Sequence, residues 1–119
     1  MIFIDNQIHN GGHSGIDIGA ANSIISKNQI YNNRLSGLKL RETSDYSVIT
    51  NNIIRDNGDY GIDLNGADYA SIVNNQLLDN YMSGIRLRVD STAPVLTGNT
   101  IIGNGSPQVW NEVLDAIIR

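Results

Sequence analysis

The sequence predicts an all-β fold, a right-handed parallel β-helix, in which the chain winds as a solenoid of four to five coils of 22–24 residues. Two observations lead to this fold class. An asparagine followed two residues later by an aliphatic residue recurs at nearly constant spacing, and the 119 residues include 16 Asn, 18 Ile and 12 Gly. Isoleucine favours strands, whereas asparagine and glycine favour turns and left-handed backbone conformations. The composition is therefore typical of short strands separated by tight turns.

The repeat consists of several columns that stay in step along the chain. Its first column, with spacings of 22, 24, 23 and 24 residues, is Asn6, Asn28, Asn52, Asn75 and Asn99. A glycine and an aliphatic residue follow in four copies, at Gly15-Ile16, Gly37-Leu38, Gly61-Ile62 and Gly84-Ile85. A second asparagine column comprises Asn33, Asn57, Asn80 and Asn104. Repeats of this length indicate one structural unit per repeat, which buries its apolar face only by stacking on its neighbours.

The segment after each glycine predicts a strand. Aliphatic and polar residues alternate in Ile16-Asp17-Ile18, Leu38-Lys39-Leu40, Ile62-Asp63-Leu64 and Ile85-Arg86-Leu87. A period of two places the aliphatic side chains inward and the charged ones outward. Copies one coil apart are expected to pair as parallel strands, with like side chains stacked and the asparagine amides hydrogen-bonded along the axis.

The composition also excludes several classes of protein. A net charge of −4 argues against a general nucleic-acid binder, and no apolar run approaches the roughly 18 residues of a membrane span. The chain contains no cysteine, so disulfides and thiolate metal sites are absent. No zinc spacing, phosphate loop or nucleophile elbow is present, and no metal ligands are predicted. His9 and His13 are predicted to be solvated turn residues.

The two ends of the repeat differ from its middle. Residues 1–105 are predicted to form the coils and residues 106–119 a C-terminal cap. The apolar spacing of the cap suits an amphipathic helix that begins at Ser106 and Pro107, and an outer strand over residues 112–118 is the alternative. At the other end, Met1 falls within a coil. The sequence therefore predicts a fragment of a larger protein, or self-association through an uncapped first coil.

The predicted outward positions form two columns on one face. The first reads Asp17, Lys39, Asp63 and Arg86, and the second reads Gly19, Arg41, Asn65 and Arg88. One interpretation is cross-strand charge pairing that keeps the sheet soluble and in register. The other is a binding surface for a linear acidic polymer, contacted by Asp17, Lys39, Arg41, Asn65, Arg86 and Arg88.

Tyr60 and Asp63 are predicted to lie on one coil, on or beside this face. A tyrosine and a carboxylate are side chains that can transfer protons at a sugar C-5, so both are candidate catalytic residues. The alternative is that Tyr60 only fills a turn.

Over nearly the whole chain, the pattern N-x-[IL]-x-x-N-x-x-x-G-[IL] resembles the β-helical catalytic module of mannuronan C-5-epimerases. It is also similar to the wider group of carbohydrate-acting β-helices that includes pectate lyases. The epimerase signature Tyr-Gly-Phe-Asp-Pro-His is matched by Tyr60-Gly61-Ile62-Asp63-Leu64-Asn65 at the tyrosine, the glycine and the aspartate. The chain departs from the signature at Asn65, where the family has histidine, and at Arg86, where the family has a further aspartate.

The resemblance implies an acidic polysaccharide, a uronan, as the ligand class, calcium as the one cofactor to expect, and an extracellular or secreted location. Three functions are left open. The first is a polysaccharide-binding β-helical segment, and the second is an active polyuronate epimerase or lyase that uses Tyr60 and Asp63. The third is a structural or assembly module that binds no ligand, and for all three no partner among nucleic acids or membranes is expected.

Overall fold

The computed structural model describes residues 1–119 as a parallel β-solenoid of about five coils, which confirms the predicted fold class. All regular elements are short strands: β1 (Ile2–Ile4), β2 (Gln7–His9), β3 (Ile16–Ile18), β4 (Ile24–Ser26), β5 (Gln29–Tyr31), β6 (Leu38–Leu40), β7 (Val48–Thr50), β8 (Ile53–Arg55), β9 (Ile62–Leu64), β10 (Ser71–Val73), β11 (Gln76–Leu78), β12 (Ile85–Leu87), β13 (Val95–Thr97), β14 (Thr100–Ile102), β15 (Val109–Asn111) and β16 (Ile117–Ile118). None of the protein's elements is a helix of the length and apolarity that a membrane span requires.

Each coil contributes one strand to each of three parallel sheets. The first sheet has the order β1-β4-β7-β10-β13-β16, the second β2-β5-β8-β11-β14 and the third β3-β6-β9-β12-β15. Coil 1 thus contains β1–β3, coil 2 contains β4–β6, coil 3 contains β7–β9, coil 4 contains β10–β12 and coil 5 contains β13–β15. The strands of coil 1 lie at the edge of every sheet, and self-association through this coil stays a prediction.

The core is a stack of aliphatic side chains between the three sheets. Each third-sheet strand from β3 to β12 points two aliphatic residues inward, and all of these side chains are at most 5% exposed. The glycine that precedes each such strand packs closely under the next coil. A Cβ atom at Gly37, for example, would lie 2.5 Å from Cγ2 of Ile54. The glycine column is therefore required by the close stacking of coils.

The two asparagine columns form the predicted hydrogen-bonded ladders at the turns. In the first ladder, the backbone N–H and Nδ2 of Asn28 donate to Oδ1 of Asn52 at 2.9 and 3.1 Å. The second ladder runs upward to Asn104, where Oε1 of Gln108 accepts from both the backbone N–H and Nδ2. Buried turns need partners for their polar groups, and each amide supplies them to the adjacent coil.

Left-handed residues precede the ladders and explain the turn composition. Positive φ angles occur directly before the first ladder at Asp5, Lys27, Asn51, Asn74 and Gly98. They occur directly before the level of the second ladder at Asn10, Asn32, Asp56, Asp79 and Gly103. Glycine, asparagine and aspartate tolerate this conformation best.

The C-terminal segment corrects one expectation. The helix alternative for residues 106–119 is wrong, because the segment continues the solenoid as β15 and β16. Val109 and Trp110 pair with Ile85 and Arg86, and Ile117 pairs with Val95. Without this segment, β12 and β13 would be edge strands with unpaired backbone N–H and C=O groups. A parallel strand forms hydrogen bonds with those groups, whereas a short helix bonds only its own backbone groups. The strand alternative is correct in kind, although its predicted bounds at residues 112–118 differ from those observed.

Candidate functional site on the outer face of the third sheet

The outward columns of the third sheet lie in the predicted register. Asp17 pairs with Lys39, Lys39 with Asp63 and Asp63 with Arg86 across neighbouring strands. The structure extends the first column by Trp110, which pairs with Arg86. We call this surface the outer face. It consists of these five residues, the adjoining column of Arg41, Asn65 and Arg88, and the side chains of Tyr60 and Glu112 that contact Arg86.

At the start of the outer face, Asp17 and Arg41 form an exposed ion pair. Nε and Nη2 of Arg41 donate to the two carboxylate oxygens of Asp17 at 2.6 and 2.7 Å. These hydrogen bonds lower the pKa of Asp17 below its usual value of 3.8. Both side chains are well exposed, so the pair contributes little to stability.

In the middle of the outer face, Asp63 and Arg88 repeat the same diagonal arrangement, but the carboxylate is buried. Nε and Nη2 of Arg88 donate to Asp63 at 2.9 and 3.1 Å. Asp63 is 3% exposed, which corrects its predicted place in an exposed column. The side chain does point away from the core. Arg88 lies against the Asp63 carboxylate, and β6 and β12 flank the strand that carries Asp63. Solvent therefore has little access to the carboxylate.

Tyr60 is also buried, at 4% exposure, and belongs to a cluster around Arg86. Nη1 of Arg86 donates to the Tyr60 hydroxyl at 2.7 Å, and Nη2 donates to Oε1 of Glu112 at 2.8 Å. The Arg86 guanidinium lies 4.2 Å from the centroid of the Trp110 ring, a cation–π contact. Tyr60 and Trp110 pack edge to face with centroids 6.4 Å apart. Tyr60 therefore does more than fill a turn.

The charge-pairing interpretation is confirmed for three of the four cations that the sequence placed on this surface. Arg41, Arg86 and Arg88 are each bound to a carboxylate. Lys39 differs from them because none of the ion pairs of the protein includes it. It lies in register between Asp17 and Asp63. Both carboxylates already have a partner, because Arg41 binds Asp17 and Arg88 binds Asp63. The Lys39 ammonium is thus the cation of the outer face that remains free for a ligand.

Asp59 is a candidate that the sequence did not reveal. It is half-buried at the turn before the outer face and makes no side-chain hydrogen bond or ion pair. Burial raises the pKa of Asp59, and the charge of Asp63 raises it further, against the opposing effect of Arg88, Arg86 and Lys39. The position belongs to no repeated column, so no pattern in the sequence singles it out.

Trp110 and Glu112 were missed for a different reason. Both lie in the C-terminal segment, for which the sequence left helix and strand open as alternatives. Only the pairing of β15 with β12 brings them beside Arg86. His9, in contrast, lies on the second sheet, where it stacks on Tyr31 with ring centroids 4.9 Å apart. His13 is an exposed turn residue.

The residues present do not supply a cage for calcium. No three His, Asp or Glu side chains lie together in an arrangement that could hold a metal ion. Calcium takes six to eight oxygen ligands, which in proteins usually include several carboxylates. Calcium therefore stays an expectation of the resemblance.

The sheet order and the outward columns define a parallel β-helix with a polar outer face on its third sheet. The chain belongs to the right-handed beta helix region family, whose model matches residues 1–115. No curated protein matches the sequence. The fold is similar to that of the crystal structure of the periplasmic alginate epimerase AlgG, with a TM-score of 0.89 and 20% sequence identity. The match covers 98% of this chain and 32% of that one, so the chain spans about a third of the epimerase.

Proposed function

We propose that the outer face binds an acidic polysaccharide of the uronan class, with Lys39 as the anchor for a uronate carboxylate. The observation that carries the proposal is the free ammonium of Lys39 on a rigid surface whose other cations are already bound to carboxylates. A linear polymer that crosses the strands would pass over successive coils, which are spaced by about 4.8 Å. The fold of an alginate epimerase supports the same ligand class.

Trp110 supplies an apolar platform at the other end of the same surface. Trp110 is 37% exposed, while Arg86 covers part of its ring. An aromatic face packs well against the C–H groups of a sugar ring and excludes water from that contact. Binding along the outer face would thus combine one carboxylate contact at Lys39 with one stacking contact at Trp110. Such a protein would act where polysaccharide is found, in the periplasm or outside the cell.

The test is the affinity for polymannuronate, measured by isothermal titration calorimetry. Lys39→Gln should weaken binding about fivefold, because one charge-assisted contact is lost. The matched control is Lys27→Gln, which removes the only other lysine of the chain from an exposed turn outside the outer face. Equal affinities for the Lys39 and Lys27 variants would remove the basis of the proposal.

An enzyme that uses Tyr60 and Asp63 is the second candidate. The contact between the Tyr60 hydroxyl and Arg86 favours it, since an arginine next to a tyrosine stabilises the phenolate that a proton abstraction requires. Against it, both residues are at most 4% exposed, and Arg88 already binds Asp63. Proton NMR of polymannuronate incubated with the protein decides the matter, because epimerisation gives guluronate anomeric signals and lysis gives unsaturated chain ends. Binding without turnover leaves the spectrum unchanged, and turnover that survives in Asp63→Asn would exclude this candidate.

A further inference from the structure

A polar notch lies beside the outer face, at the turn that follows the third sheet. Gly66 has no side chain, whereas the coils on either side carry Glu42 and Asp90 at this level. A Cβ atom at Gly66 would lie 3.0 Å from Cβ of Glu42 and 3.1 Å from Oδ2 of Asp90. Beside this closely packed glycine lies a cavity of about 260 Å³ without any apolar lining residue, bounded by Arg41, Glu42, Thr43, Asn65 and Asp90.

Much of the hydrogen-bonding capacity in the notch faces solvent, because Glu42 and Asp90 are exposed. The structure contains 49 hydrogen bonds that involve a side chain or a terminus, and the side chains of Glu42, Asn65 and Asp90 take part in none of them. Arg41 binds Asp17 through Nε and Nη2 and leaves Nη1 free. The notch therefore offers acceptors from two carboxylates and an amide, together with donors from an amide and a guanidinium.

This mixture of groups matches hydroxyls, each of which both donates and accepts a hydrogen bond. It does not match a carboxylate, because Glu42 and Asp90 contribute two negative charges and the single cation, Arg41, is already bound to Asp17. The carboxylates of Glu42 and Asp90 would repel a ligand carboxylate in the notch. The geometry points to a binding subsite for a neutral sugar unit, recognised through adjacent hydroxyl groups.

The notch and the carboxylate anchor are neighbours. Arg41 is two residues beyond Lys39, which along a strand is about 7 Å, and Arg41 and Asn65 belong to both surfaces. The inference rests on the proposed function and sharpens it. The preferred ligand is a heteropolysaccharide in which a neutral sugar lies next to a uronate, and not a polymer of uronate alone.

Two oligosaccharides with the same linkage and configuration test the subsite, because they differ in their carboxylates. Hexamannuronate reports on the Lys39 anchor, and β-1,4-mannohexaose reports on the notch. The variant Glu42→Gln/Asp90→Asn should bind mannohexaose about tenfold more weakly than the wild type, since two charge-assisted contacts become neutral ones. It should bind hexamannuronate at least as tightly as the wild type, because repulsion is relieved.

The matched control is Asp5→Asn/Asp79→Asn, which changes the net charge equally at two exposed turns that follow the first and second sheets, whereas the notch follows the third. It should leave the affinity for mannohexaose unchanged. Both double variants should melt at the wild-type temperature, because none of the four carboxylates makes a side-chain hydrogen bond or an ion pair.

The outcomes separate the two proposals. The notch is overturned if wild-type protein does not bind mannohexaose, or if the Glu42→Gln/Asp90→Asn variant binds it unchanged. It is also overturned if binding in EDTA disappears and calcium restores it, since the carboxylates would then hold a cation. The uronan proposal fails by itself if hexamannuronate does not bind, whatever the result with mannohexaose.

Discussion

Two parts of the outer face have the same ion-pair geometry and different environments. In both, an aspartate on one coil accepts two hydrogen bonds from an arginine on the next, as in Asp17–Arg41 and Asp63–Arg88. The Asp17 side chain is 36% exposed and that of Asp63 is 5% exposed. Asp17 lies on the edge strand β3, whereas Asp63 lies on β9 with strands on both sides. Equal positions in a repeat thus acquire different energetic roles from their place in the stack.

The largest effect is expected from breaking the buried pair. Arg88→Ala leaves the Asp63 carboxylate buried without its partner and should lower the free energy of unfolding by about 2–4 kcal/mol. This is less than the roughly 3–5 kcal/mol for fully buried pairs, because the Arg88 side chain is 32% exposed. Urea denaturation gives the value. Arg41→Ala is the matched variant at the exposed pair and should have almost no effect, so similar losses in the two variants would contradict the distinction.

A smaller effect is expected in the cluster around Arg86. Tyr60→Phe removes the acceptor of Nη1 of Arg86 and should cost about 1 kcal/mol of unfolding free energy. Fluorescence of Trp110, the only tryptophan, follows the transition and reports directly on this cluster. Tyr81→Phe is the control, because Tyr81 is 80% exposed and its hydroxyl makes no hydrogen bond. A loss of equal size in both variants would show that the contact between Tyr60 and Arg86 contributes nothing.

The smallest effect concerns pH and Asp59. Since the pKa of Asp59 in the folded protein is raised above 3.8, the folded chain binds this proton more tightly than the unfolded chain does. Through this group, stability therefore increases as the pH falls through the folded-state pKa towards 3.8. Asp59→Asn should be more stable than the wild type at about pH 7, and the difference should shrink towards about pH 4. Urea midpoints across this range test the sign, and a variant that is less stable at neutral pH would reverse it.

The contrast also shows which variants are suitable for binding studies. Lys39 can be changed without disturbing an ion pair, so a loss of affinity in Lys39→Gln reports on the ligand. Changes at Arg86 or Arg88 leave Tyr60, Glu112 or Asp63 without a partner. A loss of binding in those variants would therefore mix recognition with stability.

Much of the candidate site followed from the sequence because the repeat fixes the register. The glycine column places Asp17, Lys39, Asp63 and Arg86 in one row, and the structure confirms that row. The sequence could not assign the ion pairs, because a diagonal contact depends on which side chains reach across coils. It also gave no indication of Asp59, which lies in a turn outside every column.

The sequence by itself determined the parallel solenoid, the asparagine ladders and the row of outward residues. Each of these depends on a periodic pattern that only stacking of coils can satisfy, since an isolated strand of three residues buries no core. Tertiary structure alone decided that Asp63 and Tyr60 are buried, that Lys39 is free and that Trp110 joins the outer face. These features depend on contacts between side chains of different coils and on their place in the stack, which a pattern along the chain does not specify. The notch beside Gly66 has the same origin, because its lining residues come from three neighbouring coils.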